Sequence, residues 1–338
     1  MLTRYACCGL TIDSELPLPC ASVPARADLA PDVSVRLLRH AWLPGEQTGR
    51  SLASERSPGW GEITREAEGY RLGYRDLCTF VISEDGGRLD AYVPPAVDLE
   101  RASHLCIGNP LAVLIALRDG LSLHASAVAC TAGALVIAGD SGAGKSTLAA
   151  WLVRDGGALI ADDLLRVQGG ASSALCYPGV VELRLRPDAV LPDGPAGRIT
   201  RIAYDGRHVL RSARACAQPT PVRAVLCPQL DGSATSGAKL EALAPIAAFT
   251  ALARTVRPSG ALDPQLRALQ FRELGALVRT APVFALRGRW HPDEVLAALA
   301  PLRAKAARAR DGAGAVPVSP DRAICAEFSS GSSREAEA

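Results

Sequence analysis

Lysine is nearly absent from this chain: Lys145, Lys239 and Lys305 are the only three among 37 basic residues, so arginine carries almost all the positive charge. Long apolar runs are missing as well, and no stretch reaches the roughly 18 uncharged apolar residues that mark a membrane-spanning helix. The segment Met1–Cys8 has no apolar core of the kind found in secretion signals, so a cytoplasmic protein is expected. Charge imbalance is small, with 37 basic against 35 acidic residues and a net charge of +2. The arginines are scattered, which argues against nucleic acid or an acidic membrane surface as the partner. Metal-ligand spacing is lacking too: Cys7 and Cys8 are adjacent, with no second pair at a zinc-site interval. The ten cysteines therefore read as small buried hydrophobes or free thiols.

What the sequence does contain is ordinary globular composition, with 48% hydrophobic and 21% charged residues over 338 positions, enough for one large or two smaller domains. Residues 1–100 alternate at period two over Val33–Leu37, Tyr70–Tyr74 and Thr79–Ile82, and Arg88–Val93 follows the turn Glu84–Gly87. This predicts a β-rich N-terminal domain built from hairpins. Residues 45–61, polar and rich in glycine and proline, are expected to form a loop.

The apolar run Ala134–Ala138 ends in Gly139-Asp140-Ser141-Gly142-Ala143-Gly144-Lys145-Ser146-Thr147, and Leu148–Val153 then continues as a helix. Strand, glycine loop and helix in that order satisfy the context that G-x-x-x-x-G-K-[ST] requires of a phosphate-binding loop. Glycines let backbone N–H groups approach an anion closely, and the helix directs its positive end at the same point. In an arginine-rich chain, a lysine at this position implies a site that a planar guanidinium would not fit. Lys145 would reach the β/γ-phosphates of a nucleotide, and Ser146 would ligate Mg²⁺.

Flanking elements can be read at lower detail. The segment 99–118 has a helical stripe that Pro110 should divide into two pieces. Leu121–Ala129 reads as one strand, turning at Thr131–Gly133 into the loop-bearing strand, and so short a turn demands antiparallel neighbours. Ala158–Ala161 is a strand ending in Asp162-Asp163, where a carboxylate could hold Mg²⁺ while a second accepts the proton of an attacking hydroxyl. An arginine-bearing segment from Arg198 to Arg214 precedes a strand at Val222–Leu226. Helices are expected over 245–252, 265–278 and 291–302, with a strand at Val283–Leu286. The residues from 304 to 338 lose apolar periodicity and read as a disordered tail.

His124, the loop, the Asp162-Asp163 pair and Glu182-Leu183-Arg184 together resemble the catalytic domain of HPr kinase/phosphorylase, a bacterial protein-serine kinase. The similarity covers about 121–302 and is greatest to shorter kinases encoded beside peptide-modification genes, including those of ribosomal peptide (RiPP) biosynthesis that phosphorylate the C-terminal serine of lasso-peptide precursors. Leu185 stands where that family has glycine. The resemblance implies an α/β fold: a P-loop kinase domain of the HPr kinase/PEP carboxykinase type with a mixed sheet, over 101–303, behind the smaller β-rich domain. It implies ATP and Mg²⁺ as cofactors, with loop residues 139–147 on the phosphates and Ser146, Asp163 and Glu182 around the metal. Asp162 would act as base, with His124 near the γ-phosphate. Arg207 and Arg211 are further candidates for clamping the phosphoryl group. The partner would be a peptide or small protein bearing an acceptor serine, and homo-oligomers are familiar in the family. A small-molecule phosphotransferase of the PEP-carboxykinase type and a non-catalytic ATP-sensing adaptor are the rival readings.

Overall fold

The computed structural model describes residues 2–25, 29–41, 50–54, 62–189, 197–212, 214–231, 233–258 and 263–304. The expected tail over 304–338 lies, apart from residue 304, outside them. Residues 1–305 cluster as one compact unit.

Nine strands occupy the first third: β1 (Thr3–Cys7), β2 (Leu10–Ser14), β3 (Ala21–Ser22), β4 (Val33–Leu38), β5 (Arg50–Ser54), β6 (Glu62–Glu66), β7 (Gly69–Tyr74), β8 (Cys78–Ser83) and β9 (Arg88–Tyr92). They form a single sheet in the order β3-β1-β2-β4-β9-β8-β7-β6-β5. Alternation decides its faces: Cys78, Phe80 and Ile82 of β8 are buried while Thr79, Val81 and Ser83 are not, the period-two pattern of a strand with one face in a core. Strand β5 falls within the expected 45–61 loop. It takes the edge of the sheet, paired among the described residues with β6.

Helices α1 (Leu99–Cys106) and α2 (Asn109–Ala116) follow, separated where Pro110 enters the first turn of α2. Asp98 caps α1 by accepting from the Glu100 amide. Both helices bury residues in the core of the first sheet, and Leu164 and Val180 from further along the chain join that core.

The second sheet begins with β10 (Leu121–Leu123) and β11 (Ala125–Cys130), so the strand expected over 121–129 is broken at His124. The reason is a change of partners: the His124 amide donates to Thr255 O at 2.6 Å, after which β11 leaves the neighbours of β10. Strand β12 (Gly133–Ala138) runs antiparallel to β11, as the short turn demands, and leads into α3 (Lys145–Arg154). Then come β13 (Ala158–Ala161), β14 (Leu165–Gln168), β15 (Leu175–Cys176), β16 (Glu182–Leu185), β17 (Gly197–Ile202), β18 (His208–Ser212), β19 (Thr220–Asp231) and β20 (Lys239–Ala242). The chain closes with α4 (Pro245–Ala253), β21 (Val256–Arg257), α5 (Pro264–Thr280), β22 (Val283–Arg289) and α6 (Pro292–Arg303).

Ten of these strands make a mixed sheet in which β12 lies between antiparallel β11 and parallel β19. Strands β16, β18 and β17 form a small separate sheet. Side chains of β12 divide strictly: Ala134, Val136 and Ala138 join a core with α4 and α5, whereas Leu135 and Ile137 join one with α3 and α6. The glycine loop thus leaves a strand that is packed on both faces. The nine cysteines among the described residues are all free thiols, with the sulfurs of Cys7 and Cys20 2.8 Å apart.

The helix behind the loop is anchored by Trp151, which is fully buried and lies 4.5 Å, centroid to centroid, from Trp290. Trp151→Ala should lower unfolding stability by about 3–5 kcal/mol, measured by chemical denaturation.

Candidate functional site

The loop turns tightly into α3. Gly144 at φ 82° supplies the helix cap and Gly142 has φ 87°, values that a Cβ makes costly. Space forbids a side chain as well: a Cβ at Gly144 would lie 2.5 Å from the Trp290 ring, and one at Gly142 would lie 2.8 Å from an Arg186 nitrogen. The Leu148 amide closes on Gly144 O at 2.9 Å, so the amides of the turn before it have no helical carbonyl to meet.

Lys145 is only 6% exposed. Its ammonium donates to Gly139 O at 3.0 Å, Asp140 O at 2.9 Å and His124 Nε2 at 3.0 Å, which uses all three of its protons. Burial lowers its pKa, and the nearby Asp162 and Asp163 charges oppose that shift. An ammonium has no acceptor to offer, so Nε2 of His124 must accept and the imidazole proton sits on Nδ1. From there it faces Asp163, with the backbone O at 3.0 Å and Oδ1 at 3.2 Å.

Asp162 is 2% exposed at the end of β13. Its carboxylate accepts from Ser126 at 2.5 Å, from Ser146 at 2.9 and 3.0 Å, and from the Arg184 amide at 3.3 Å. Desolvation raises its pKa, helped by the like charge of Asp163 and opposed by the two serine hydroxyls. Asp163 has the opposite setting, with a side chain 43% exposed and φ 70°. Desolvation works to raise its pKa, but the hydrogen bond from His124 and the charge of Lys145 hold it below the ordinary carboxylate range. Adjacent acids are thereby made different.

These groups line a cavity of about 590 Å³. Residues 141–147, His124, Asp162 and Asp163 all reach it, and so does Arg207. Four other expected residues do not: Gly139 and Asp140, whose carbonyls accept from Lys145, and Glu182 and Arg211. Glu182 accepts a bidentate pair from Arg201 at 2.9 and 3.2 Å and lines a neighbouring cavity. Arg211, on β18 opposite Glu182, is exposed and outside the lining. The position of Glu182 follows from the small sheet, where β17 carries Arg201 to within reach of both Glu182 and Glu100. Among the described residues no three His, Cys, Asp or Glu side chains cluster as a metal site. A hard cation that keeps its waters and binds through one or two carboxylates plus phosphate oxygens requires no such cluster, and Ser146 and Asp163 both line the cavity.

The structure adds residues that the motifs did not announce: Ser126 beneath Asp162, Trp290 over Gly144, Arg186 over Gly142, and His104 from α1 on the cavity wall. Arg184 pairs with Asp205 at 2.8 Å, and Arg207 meets the same carboxylate at 3.3 Å. Of these only Arg184 had a sequence signal, its place in Glu182-Leu183-Arg184 on β16, which Arg186 follows.

No family model and no curated protein matches the chain. Among solved structures the chain is similar to the Hpr(Ser) kinase/phosphatase from Coxiella burnetii, with 12% identity and a TM-score of 0.25 over 52% of this chain and 91% of that one. At that score the likeness carries no weight for the site, which rests on its own side chains. No helix among the described residues is long and apolar enough to cross a membrane.

A carboxyl whose folded-state pKa is raised costs stability once the pH exceeds its unfolded value, and the cost is complete above the raised one. Asp162→Asn removes that cost. Thermal melts of the variant at pH 7 should be no lower than wild type, and its advantage should shrink as the pH falls toward the ordinary carboxylate range.

Proposed function

We propose that the chain is an ATP- and Mg²⁺-dependent kinase that moves the γ-phosphoryl group of ATP to a serine hydroxyl of a peptide or small protein. The observation that carries this reading is the convergence on one cavity of a glycine loop at a helix start, a buried lysine, and two adjacent carboxylates with opposed pKa shifts. Nucleotide binding alone has no use for the second acid.

Phosphates would replace the Gly139 and Asp140 carbonyls as partners of Lys145, and loop amides would take the remaining oxygens. Mg²⁺ would neutralise charge developing on the phosphate oxygens; Ser146 and Asp163, held ionised, are the groups of this chain suited to it. Asp162 has its pKa raised toward the working range of a general base. It would take the proton as the acceptor oxygen bonds to phosphorus and the bond from phosphorus to the β-phosphate oxygen breaks, leaving ADP with the electron pair. His124, fixed between Lys145 and Asp163, would hold both in place. A lasso-peptide precursor with a C-terminal serine is one acceptor that fits this reading.

Labelled ATP incubated with serine-containing peptides and with small metabolites tests the assignment. Lys145→Ala should abolish nucleotide binding or turnover. Asp162→Asn should leave ATP affinity within about threefold while transfer falls by about 10²–10⁴-fold. Full transfer by Asp162→Asn would remove it as the base, and labelling of metabolites alone would replace the peptide acceptor.

A further inference from the structure

A second cavity, of about 300 Å³, shares Asp162, Asp163, His104 and Arg184 with the phosphate cavity. Its far walls come from elsewhere. The Pro17–Pro19 segment between β2 and β3 and the α1 residues Leu99, Ser103 and Ile107 form them, with Val180 beside. The two spaces thus meet at the acid pair, one floored by the glycine loop and the other by apolar side chains of the Pro17–Pro19 segment and α1.

Charge in the second cavity is one-sided. Glu100, Glu182, Asp162 and Asp163 face Arg184 and Arg201, and Arg201 is already shared between Glu100 at 2.9 Å and both oxygens of Glu182. An incoming side-chain carboxylate would compete with those two acids for that one cation. Arg184 is different. Its side chain is nine-tenths buried at 10% exposure, and its Nε has no hydrogen-bond partner. It lines both cavities, at the boundary that a phosphoryl group would cross.

We propose that the second cavity seats the acceptor, a peptide segment in which an apolar, uncharged side chain stands beside the serine. The neighbouring side chain packs on Leu18, Leu99 and Ile107, which places the hydroxyl at Asp162 for the transfer described above, with Arg184 Nε donating to the group in flight. This rests on the kinase reading and narrows its substrate class.

The test uses the full chain with labelled ATP and Mg²⁺ and a set of peptides, each with one serine flanked by leucine, glutamine, lysine or glutamate. Leucine-flanked peptide should show a KM about tenfold or more below that of glutamate-flanked peptide, the order of discrimination a small apolar pocket provides. Leu99 is only partly buried, so Leu99→Glu should fold, keep nucleotide affinity and shift the preference to lysine-flanked peptide. Leu99→Ala should weaken leucine-flanked peptide without changing the ranking. Equal use of all flanks, or a ranking untouched by Leu99→Glu in a protein with a wild-type melt, overturns the acceptor cavity while leaving the kinase in place. Nucleotide binding with no peptide labelled at all sinks the kinase reading and this one with it.

Discussion

Everything around the cavity depends on keeping one ionisable oxygen pair out of water. A lone carboxylate moved into a protein interior loses several kcal/mol of hydration, and Asp162 survives there because Ser126, Ser146 and the Arg184 amide each direct a proton at it. Those three donors belong to β11, α3 and β16, so the single side chain fixes the relative position of the strand paired with β12, the helix after the loop and the small sheet. The mixed order of the large sheet follows the same need. An antiparallel β11 delivers Ser126 next to β13, which a parallel crossover at that place would not.

Lys145 and His124 extend the arrangement. The ammonium is tied to two loop carbonyls and an imidazole, and the imidazole passes its remaining proton to Asp163. A chain of donors therefore runs from the loop to the second acid, fixing which nitrogen carries the proton. The result is an asymmetric acid pair, one member pressed toward neutrality by desolvation and the other held charged. Sequence adjacency alone would make two like carboxylates repel one another.

Legibility in the sequence followed the strength of local signals. The loop, β12 and α3 stood out because a both-faces-buried strand has no polar interruption and the glycines that end it are required by φ and by Trp290. Pro110 divided α1 from α2 as its ring geometry demands. The short strands β14 and β15 could not be read, since four and two residues carry no period, and β17 was disguised by Arg198 and Arg201 on an exposed ribbon. The break at His124 was set by Thr255, far away in the chain. At the candidate site, Lys145, Ser146, Asp162 and Asp163 were readable by type and spacing, and His124 through the family resemblance. Glu182 was misplaced because its partner Arg201 lies on another strand, and tertiary packing alone brings His104 to the cavity and Ser126 to Asp162.

Leu164, next to the acid pair in the chain, and Val180, whose carbonyl accepts from the Asp162 amide, are buried in the hydrophobic core of the first sheet. The N-terminal third is consequently no detachable appendage. A chain cut at residue 100 would bare greasy surface directly behind the two acids, and aggregation would destroy their spacing before any loss of chemistry could be seen.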